Sequence, residues 1–211
     1  MLKIKNVVLW FLLLGISITF AADREAEKIL ERVQNAYEKL NEVCADFTQT
    51  FFWKLTDETQ VVSGSICARG GDKFRIETPE QIVVTDGKVL WTYDKMKNQL
   101  IIDNAENANS DNPFIKDFMR KYITEYDAIM QESEDRSLRK ILLTSKTGEH
   151  FVPRMWIWVD NKTDLIKKIV QEDLNENTTT FQMTDLNKDV SLPASDFKFQ
   201  TPDNAQVIDM R

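Results

Sequence analysis

The chain has 211 residues, with 34 acidic side chains, 27 lysines and arginines, and a formal net charge of −7. An acidic chain without a basic run is a poor candidate for a nucleic-acid-binding protein, because phosphate binding needs clustered Lys and Arg side chains. The chain also lacks the basic face that would hold a peripheral protein on anionic lipid.

The N-terminal segment has the order of a secretory signal peptide. Lys3 and Lys5 form a short basic region, and residues 7–20 are a charge-free stretch of 14 residues. Thr19 and Ala21 place small residues at positions −3 and −1 of a cleavage site. The alternative is a membrane anchor, but 14 residues are fewer than the ~20 that a spanning helix needs.

We therefore expect residues 1–21 to be removed by cleavage after Ala21, with cleavage after Ala22 as the alternative. The remaining 22–211 have a size that suits one domain, and loss of two lysines changes the net charge from −7 to −9. The first cysteine is Cys44, so no cysteine stands at the cleavage point. The chain is therefore expected in the periplasm as a soluble protein rather than as a lipid-anchored one.

The first predicted element of the mature chain is an amphipathic helix over residues 22–41. Apolar side chains recur there at spacings of three and four, and charged residues occupy the other side. The apolar stripe consists of Ala26, Ile29, Leu30, Val33, Tyr37 and Leu40.

After this helix the apolar period changes to two, which predicts strands. Residues 47–53 and 61–69 form a hairpin across a polar turn, and Asp86-Gly87 is a strong two-residue turn between two later strands. The further predicted strands are 73–77, 81–85, 88–93, 99–102, 126–132, 139–145, 154–159, 167–172, 179–186, 197–199 and 206–209.

A second short helix is predicted over residues 109–125, between the two series of strands. Pro113 suits a first helical turn, and the apolar residues that follow have helical spacing. Helix, strands, helix and strands together predict an α+β domain built around one large antiparallel sheet.

The two cysteines can be placed by the register of the first hairpin. If paired residue numbers sum to 111, Phe47 opposes Gly64 on the apolar face, and Cys44 opposes Cys67 on the other face. Directly opposed residues lie at a separation that a disulfide can bridge. In the neighbouring registers, where the paired numbers sum to 109 or 113, the faces are the same but the two cysteines are two residues out of register. Two unrelated thiols therefore remain the alternative.

Residues for common catalytic chemistry are scarce. His150 is the only histidine, which limits Ser-His and Cys-His pairs and excludes a His-rich metal site, and we expect it to be a surface residue. No nucleophile-elbow or phosphate-binding glycine motif is present. Carboxylates are plentiful, so counting does not exclude a two-carboxylate glycosidase. We expect a protein without enzymatic activity, cofactor or metal.

Apolar and aromatic side chains exceed what one sheet face and two short helices need. Trp156 and Trp158 share one face of a strand, and Met155, Ile157 and Val159 share the other. Such a strand is either covered on both sides, as in a well-covered core, or lines an apolar space.

An ordered set of motifs across nearly the whole mature chain resembles the periplasmic lipoprotein carrier family LolA. The most specific part is 81–94, and each of the shorter motifs would be weak alone. The matching segments are 47–49, 64–66, 74–79, 81–94, 112–114 and 196–202.

The resemblance implies a strongly curved, incomplete β-barrel with an apolar concave face and helices that lid its mouth. It implies a carrier that holds the acyl chains of lipoproteins released by an inner-membrane ABC transporter and delivers them to an outer-membrane acceptor. Such a carrier is expected to act as a monomer.

The same resemblance, with the amphipathic pattern, predicts an apolar cavity and a latch. The cavity and lid residues are expected to be Ile29, Leu30, Val33, Tyr37, Phe47, Phe51, Ile66, Trp91, Phe114, Phe118, Met119 and Trp156. In the family an arginine at the end of the second strand holds the empty form closed, and Arg69 stands there. The family often has proline where Gly70-Gly71 follows, so Arg75 is a second candidate.

Two other functions fit parts of the pattern. Sensor domains of envelope stress share this fold and bind lipids or partner proteins without carrying cargo, but they usually bring a second domain. The acceptor lipoprotein is the other alternative, and it needs a lipid-attachment cysteine that the N-terminal segment lacks.

Overall fold

The computed structural model describes residues 17–70, 72–107, 124–188 and 190–211, with the backbone alone for 17–23 and 107. These residues form the helix α1, two 3₁₀ turns and a single twelve-stranded sheet, and Thr124 and Glu125 before the seventh strand are also helical. The elements are α1 (Ser17–Glu38), β1 (Glu42–Trp53), β2 (Glu58–Arg69), β3 (Lys73–Glu77), β4 (Gln81–Thr85), β5 (Val89–Asp94), β6 (Gln99–Asn104), a 3₁₀ turn (Ala105–Asn107), β7 (Tyr126–Gln131), β8 (Leu138–Ser145), β9 (Arg154–Asp160), β10 (Ile166–Glu172), β11 (Thr178–Asn187), a second 3₁₀ turn (Ala194–Phe197) and β12 (Gln206–Asp209).

The sheet is open and strongly curved, as expected for an incomplete barrel. Its strand order is β12-β6-β5-β4-β3-β2-β1-β11-β10-β9-β8-β7. Neighbouring strands are antiparallel, except that β12 pairs with β6 in parallel. The sheet therefore consists of two meanders, β1–β6 and β7–β11, and the pairing of β1 with β11 joins them.

The helix α1 supplies one side of the main core. Its spacing of three and four brings Ala26, Ile29, Leu30 and Val33 onto one face, and all four are buried. The helix ends at Glu38, slightly before the predicted end. Among the described residues, no helix is both long and apolar enough to cross a bilayer.

The predicted second helix and the predicted strand near the C-terminus have different outcomes. Residues 108–123, with Phe114, Phe118 and Met119, lie outside the described part of the chain, and Thr124 and Glu125, the last two residues of the predicted helix, are helical. The expected strand at 197–199 is wrong, because Ala194–Phe197 forms a 3₁₀ turn there, and a parallel strand follows at Gln206–Asp209.

The C-terminal segment covers part of the sheet face that α1 leaves free. Phe197 is buried, and the ring of Phe199 lies 5.2 Å from that of Tyr93. Tyr93 pairs with Leu100, which is also fully buried. The 3₁₀ turn that ends at Phe197 contacts β3, so the part of the sheet formed by β3–β6 has a second, smaller core on its other side.

Candidate functional site

The strand register assigns each side chain to one of two sheet faces, because directly paired residues point to the same side. The inner face is defined here as the face on which α1 packs, and it includes Phe181, Phe47 and Ile66. The outer face is the opposite one, and it carries Cys44 and Cys67.

Three predicted lid residues, Ile29, Leu30 and Val33, lie over the inner face of the second meander. They pack against side chains that the strands β7–β11 direct toward the helix. These are Tyr126, Ala128, Ile141, Leu143, Met155, Ile157, Val159, Ile166, Ile169 and Phe181. This half of the inner face is therefore filled by the helix, as in a closed core.

The other half of the inner face is only partly filled. Phe47, Ile66 and Ala45 form a small buried cluster on β1 and β2, as the hairpin register predicted. Beside this cluster lies a cavity of about 120 Å³. It is lined by Tyr37, Glu38, Leu40, Asn41, Val43, Ala45, Ile66, Ala68, Arg69, Gly70, Lys73, Phe74, Met183 and Leu186.

The walls of this cavity are apolar and its end is polar. Val43, Ala68 and Phe74 belong to the wall, whereas Glu38 and Asn41 stand where α1 leads into β1. Such an arrangement suits a ligand with an apolar chain and a polar end.

Tyr37 lies at the boundary between the filled half and the cavity. Burial of its hydroxyl raises the pKa of Tyr37 to about 12, although a backbone hydrogen bond with Ile166 acts in the other direction. The hydroxyl is therefore neutral throughout the physiological range. Phe51 also lies on the inner face, but its ring stacks on Trp53 at 6.0 Å, toward the far end of β1.

The prediction that Trp91 and Trp156 line the cavity is wrong. Directly paired residues share a face, and Trp91 is connected to Cys67 by successive pairings across neighbouring strands. Trp91 pairs with Val84, Val84 pairs with Arg75, and Arg75 pairs with Cys67, so Trp91 lies on the outer face. The strand β9 directs Met155 and Ile157 to α1, and the period of two turns Trp156 to the outer face, near Arg154.

Arg69, the first latch candidate, joins three parts of the chain. Its Nη1 donates a hydrogen bond to the carbonyl oxygen of Leu192 at 2.8 Å, and its Nε lies 3.1 Å from Glu42 Oε1. The second carboxylate oxygen of Glu42 accepts a hydrogen bond from Leu192 N at 3.3 Å. Arg69 and Glu42 thus hold both backbone groups of Leu192, next to the polar end of the cavity.

Arg75, the second candidate, is engaged elsewhere. It lies on the outer face opposite Cys67, and its Nη2 donates to Glu77 Oε2 at 3.1 Å. Burial acts to raise the pKa of Glu77, but hydrogen bonds from Lys95 and Arg75 outweigh it and hold that pKa below its usual value. Arg75 is thus paired with Glu77 and is not among the residues that line the cavity, whereas Arg69 is.

The two cysteines are joined. Cys44 and Cys67 are cross-strand partners with an S–S distance of 2.05 Å, in the register inferred from the sequence. The bridge lies on the outer face, behind Ala45 and Ile66, so it stabilises the cavity wall without contacting the cavity.

His150 is not a simple surface residue. Its Nδ1 lies 2.7 Å from Ser145 Oγ, and its Nε2 lies 2.8 Å from Glu125 Oε2. Ser145 Oγ also accepts a hydrogen bond from Gly148 N at 3.0 Å. The serine oxygen is therefore part of a turn. Together, Ser145, His150 and Glu125 connect the turn between β8 and β9 to the residue before β7.

A second polar tie holds α1 on the sheet. Asp164 Oδ1 lies 2.5 Å from Arg139 Nη2 and 3.3 Å from Arg32 Nε of the helix. Burial acts to raise the pKa of Asp164, but the hydrogen bonds and charges of the two arginines outweigh it and lower that pKa. The middle of α1 is thus fixed to the turn between β9 and β10.

Sequence reasoning missed the contribution of β11 to the cavity. Met183 and Leu186 line it because β11 pairs with β1, so that Met183 opposes Phe47. Period-two alternation in residues 179–186 was a usable signal for the strand, but not for its partner. In the described part of the chain, no group of three or more His, Cys, Asp or Glu side chains could hold a metal ion.

Comparison with known proteins gives the following likenesses. A family model described as "Outer membrane lipoprotein carrier protein LolA" matches residues 38–200. The chain is 22% identical over 214 residues to a protein of Haemophilus ducreyi called outer-membrane lipoprotein carrier protein, with 99% of this chain and 97% of that protein covered. A protein of the same name from Glaesserella parasuis is 25% identical over 201 residues, covering 93% and 92%.

Among solved structures, the fold is similar to that of an uncharacterized conserved protein from Thermus thermophilus. The TM-score is 0.59 at 16% identity, and 88% of this chain and 99% of that chain are covered. At this identity the likeness concerns the fold alone.

Proposed function

The chain belongs to the LolA family of outer membrane lipoprotein carrier proteins, and from that membership we propose that it carries lipoproteins across the periplasm by sheltering their acyl chains against the inner sheet face. The observation that carries the proposal is the apolar cavity beside α1, walled by β1, β2, β3 and β11. An acyl chain is the apolar part of such a cargo, and the polar end of the cavity suits its attachment point.

The physical task is to keep acyl chains out of water. Exposing one chain of about 14 methylenes costs on the order of 11 kcal/mol at ~0.8 kcal/mol per methylene. Free diffusion of a lipoprotein between membranes is therefore very slow. A dry cavity of suitable size offsets the cost by burial alone, which is why the carrier needs no catalytic group, cofactor or metal.

The cavity must enlarge to take this cargo. Its volume of about 120 Å³ is smaller than the ~300–1,000 Å³ of typical ligand pockets. We propose that α1 acts as a lid and moves away from the inner face when acyl chains enter, together with the segment that contains Phe114, Phe118 and Met119. A modest free-energy difference between closed and open states would allow the cargo to leave again.

The partners follow from this role. Cargo would come from an inner-membrane ABC transporter and pass to an outer-membrane acceptor, with the carrier acting as a monomer in the periplasm. Removal of residues 1–21 would release it there.

A charge placed in the cavity wall tests the proposal. Ala68 lines the cavity, whereas the nearby Ser65 is exposed on the outer face of the same strand. We expect Ala68→Glu to lose cargo, because an unpaired carboxylate among apolar groups costs several kcal/mol. Ser65→Glu is the matched control and should load normally.

The measurement is co-purification of a labelled lipoprotein, followed by its transfer to acceptor-bearing membranes, with urea denaturation to show that both variants fold. Equal loading of the two variants would count against the cavity as the cargo site. The regulatory alternative predicts lipid binding without transfer, so a wild-type protein that loads but passes nothing on would favour that class.

A further inference from the structure

Highly exposed apolar side chains are concentrated on the turns at one end of the sheet. The turn after β3 also lies at this end but carries no exposed large apolar side chain. The other four described turns there follow β1, β5, β8 and β10, and they lie at the same end because the strands of each meander alternate in direction. Each carries one large apolar residue, and the exposed fractions are 96% for Leu55, 81% for Met96, 70% for Phe151 and 60% for Leu174. These four residues are called the apolar rim below.

The turns at the other end of the sheet differ. They follow β2, β4, β7 and β9, and they include Gly70, Asp86 and Asn161. Among the described residues, none of these four turns carries an exposed large apolar side chain. Among the described turns between strands, exposed large apolar side chains therefore occur at one end of the sheet; Met210, in the C-terminal tail, is an exposed apolar residue toward the other end.

The rim turns are held in place by hydrogen bonds. Lys54 N donates to Asn177 Oδ1 at 3.1 Å, and Lys54 pairs with Glu176, which ties the Leu55 turn to the Leu174 turn. The Met96 turn is fixed by Asp94 Oδ1, which accepts a hydrogen bond from Met96 N at 2.9 Å. Because these turns are preorganised, the apolar side chains project from a fixed backbone.

The shape of the rim indicates its partner. The four residues stand on separate protruding turns along the edge of a curved sheet, so they do not form a groove for a single peptide. A lipid bilayer can accept several separate apolar tips at once, and exposed apolar patches mark protein or membrane interaction sites. Trp53, which is 38% exposed beside Leu55, has the amphipathic ring that is typical of membrane interfaces.

The charges near the rim indicate the kind of lipid. Acidic side chains accompany three of the turns, namely Asp57 and Glu58, Glu149, and Asp173. Lys54 is paired with Glu176, and Lys97 with Asp94. The turns 54–57, 95–98, 146–153 and 173–177 together carry four lysines and four acidic side chains, so they are neutral in sum. A neutral rim on a chain of net charge −7 is not attracted to an anionic membrane surface.

We propose that the apolar rim docks this protein on the surface of a lipid bilayer with mainly zwitterionic head groups. The polar end of the cavity lies at the end of the sheet opposite to the rim. Asn41 and Gly70, which line it, stand in the connections before β1 and after β2, and Leu186 lies near the end of β11. A docked molecule therefore presents that end of the cavity away from the bilayer. The docking does not depend on the cavity or on cargo.

The test is flotation of the purified full chain, without cargo, with vesicles of phosphatidylcholine. Vesicles that also contain phosphatidylglycerol are used in parallel. The double variant Leu55→Asp with Leu174→Asp should bind phosphatidylcholine vesicles at least about tenfold more weakly, because two leucines no longer enter the bilayer. Met210→Asp is the matched control, since Met210 is 61% exposed but follows β12 toward the other end of the sheet.

We expect the control to bind like the unchanged protein, and phosphatidylglycerol to weaken binding at low salt but less at high salt, where charges are screened. Absence of binding to phosphatidylcholine overturns the proposal. So does binding that requires phosphatidylglycerol, or equal loss in the control and the double variant. Cargo loading is measured separately, so a failure here leaves the carrier function standing.

Discussion

At Gly64 the absence of a side chain is a packing requirement. A Cβ atom there would lie 2.4 Å from Glu77 O and 2.9 Å from Phe47 Cζ, closer than real Cβ contacts allow. Gly64→Ala should therefore move the Phe47 ring or the backbone of β3 and destabilise the fold by about 1–3 kcal/mol. Urea denaturation measures this, with the exposed Ser63→Ala as control. An unchanged midpoint would show that the strands can separate at no cost.

At Arg69 the prediction concerns release rather than stability. The guanidinium group holds Leu192 and Glu42 beside the cavity, so Arg69→Leu should weaken the closed, empty form. By linkage, a weaker closed state raises the affinity for cargo and slows its release. We expect Arg69→Leu to load lipoprotein but to transfer it poorly in the acceptor-membrane assay.

Arg75→Leu is the control for this experiment, because Arg75 contacts Glu77 on the outer face. Transfer at the wild-type rate by Arg69→Leu would show that Arg69 is not the latch. Impaired transfer by Arg75→Leu alone would assign that role to the second arginine.

At the scale of elements, the first hairpin is braced by its disulfide. Cys44 and Cys67 are 23 residues apart in sequence, and closing a loop of this size typically stabilises a protein by ~2–4 kcal/mol. Replacing both by Ser should lower the free energy of unfolding by about this amount. Cargo binding should remain, because the bridge lies on the outer face. Loss of binding in a variant that still folds would contradict that placement.

The attachment of α1 through Asp164 predicts a pH dependence. The folded-state pKa of Asp164 is lowered, so its contribution is present above the unfolded value of about 3.9 and is lost as pH falls through the folded value. Asp164→Asn should cost about 1 kcal/mol at neutral pH, since the tie is partly exposed.

Thermal unfolding at several pH values measures this, and the difference from wild type should shrink below pH ~4. Asp127→Asn, on an exposed strand position, is the control. A difference that stays constant down to strongly acidic pH would mean that the Asp164 charge does not hold the helix.

The elements also show where sequence reasoning reached its limit. The apolar face of α1 and the pairing register of β1 with β2 could be predicted from the sequence, because a helix face and a hairpin depend on residues close in sequence. The faces of Trp91 and Trp156 were not. Both strands are apolar on both sides, and the outer face of β5 is covered by Phe199, which contacts Tyr93 from a distant part of the sequence.

At the scale of the whole molecule, a curved antiparallel sheet was predictable from the motifs and from the spacing of the strands. The parallel position of β12 was not, because a short strand of four exposed residues has no pattern that selects its partner. An apolar cavity was expected from the sequence, but not the contribution of β11 to its wall. Met183 and Leu186 line the cavity because β11 pairs with β1, and these two strands are far apart in sequence.

The expected export also yields a whole-molecule prediction. Protein recovered from the periplasm should begin near Ala22, because a charge-free stretch of 14 residues ends before it. N-terminal sequencing decides this. A chain that keeps residues 7–20 and sediments with membranes would contradict cleavage.

The pairing of β1 with β11 has a consequence for the order of folding. Each meander is made of consecutive hairpins and can assemble as its own residues become available, whereas the central pair must wait until residues 178–187 have been delivered. Non-local strand pairing of this kind makes folding slow. If residues 1–21 direct export as proposed, the two meanders stay unpaired until nearly the whole chain has crossed the membrane, so the sheet is completed only on the far side.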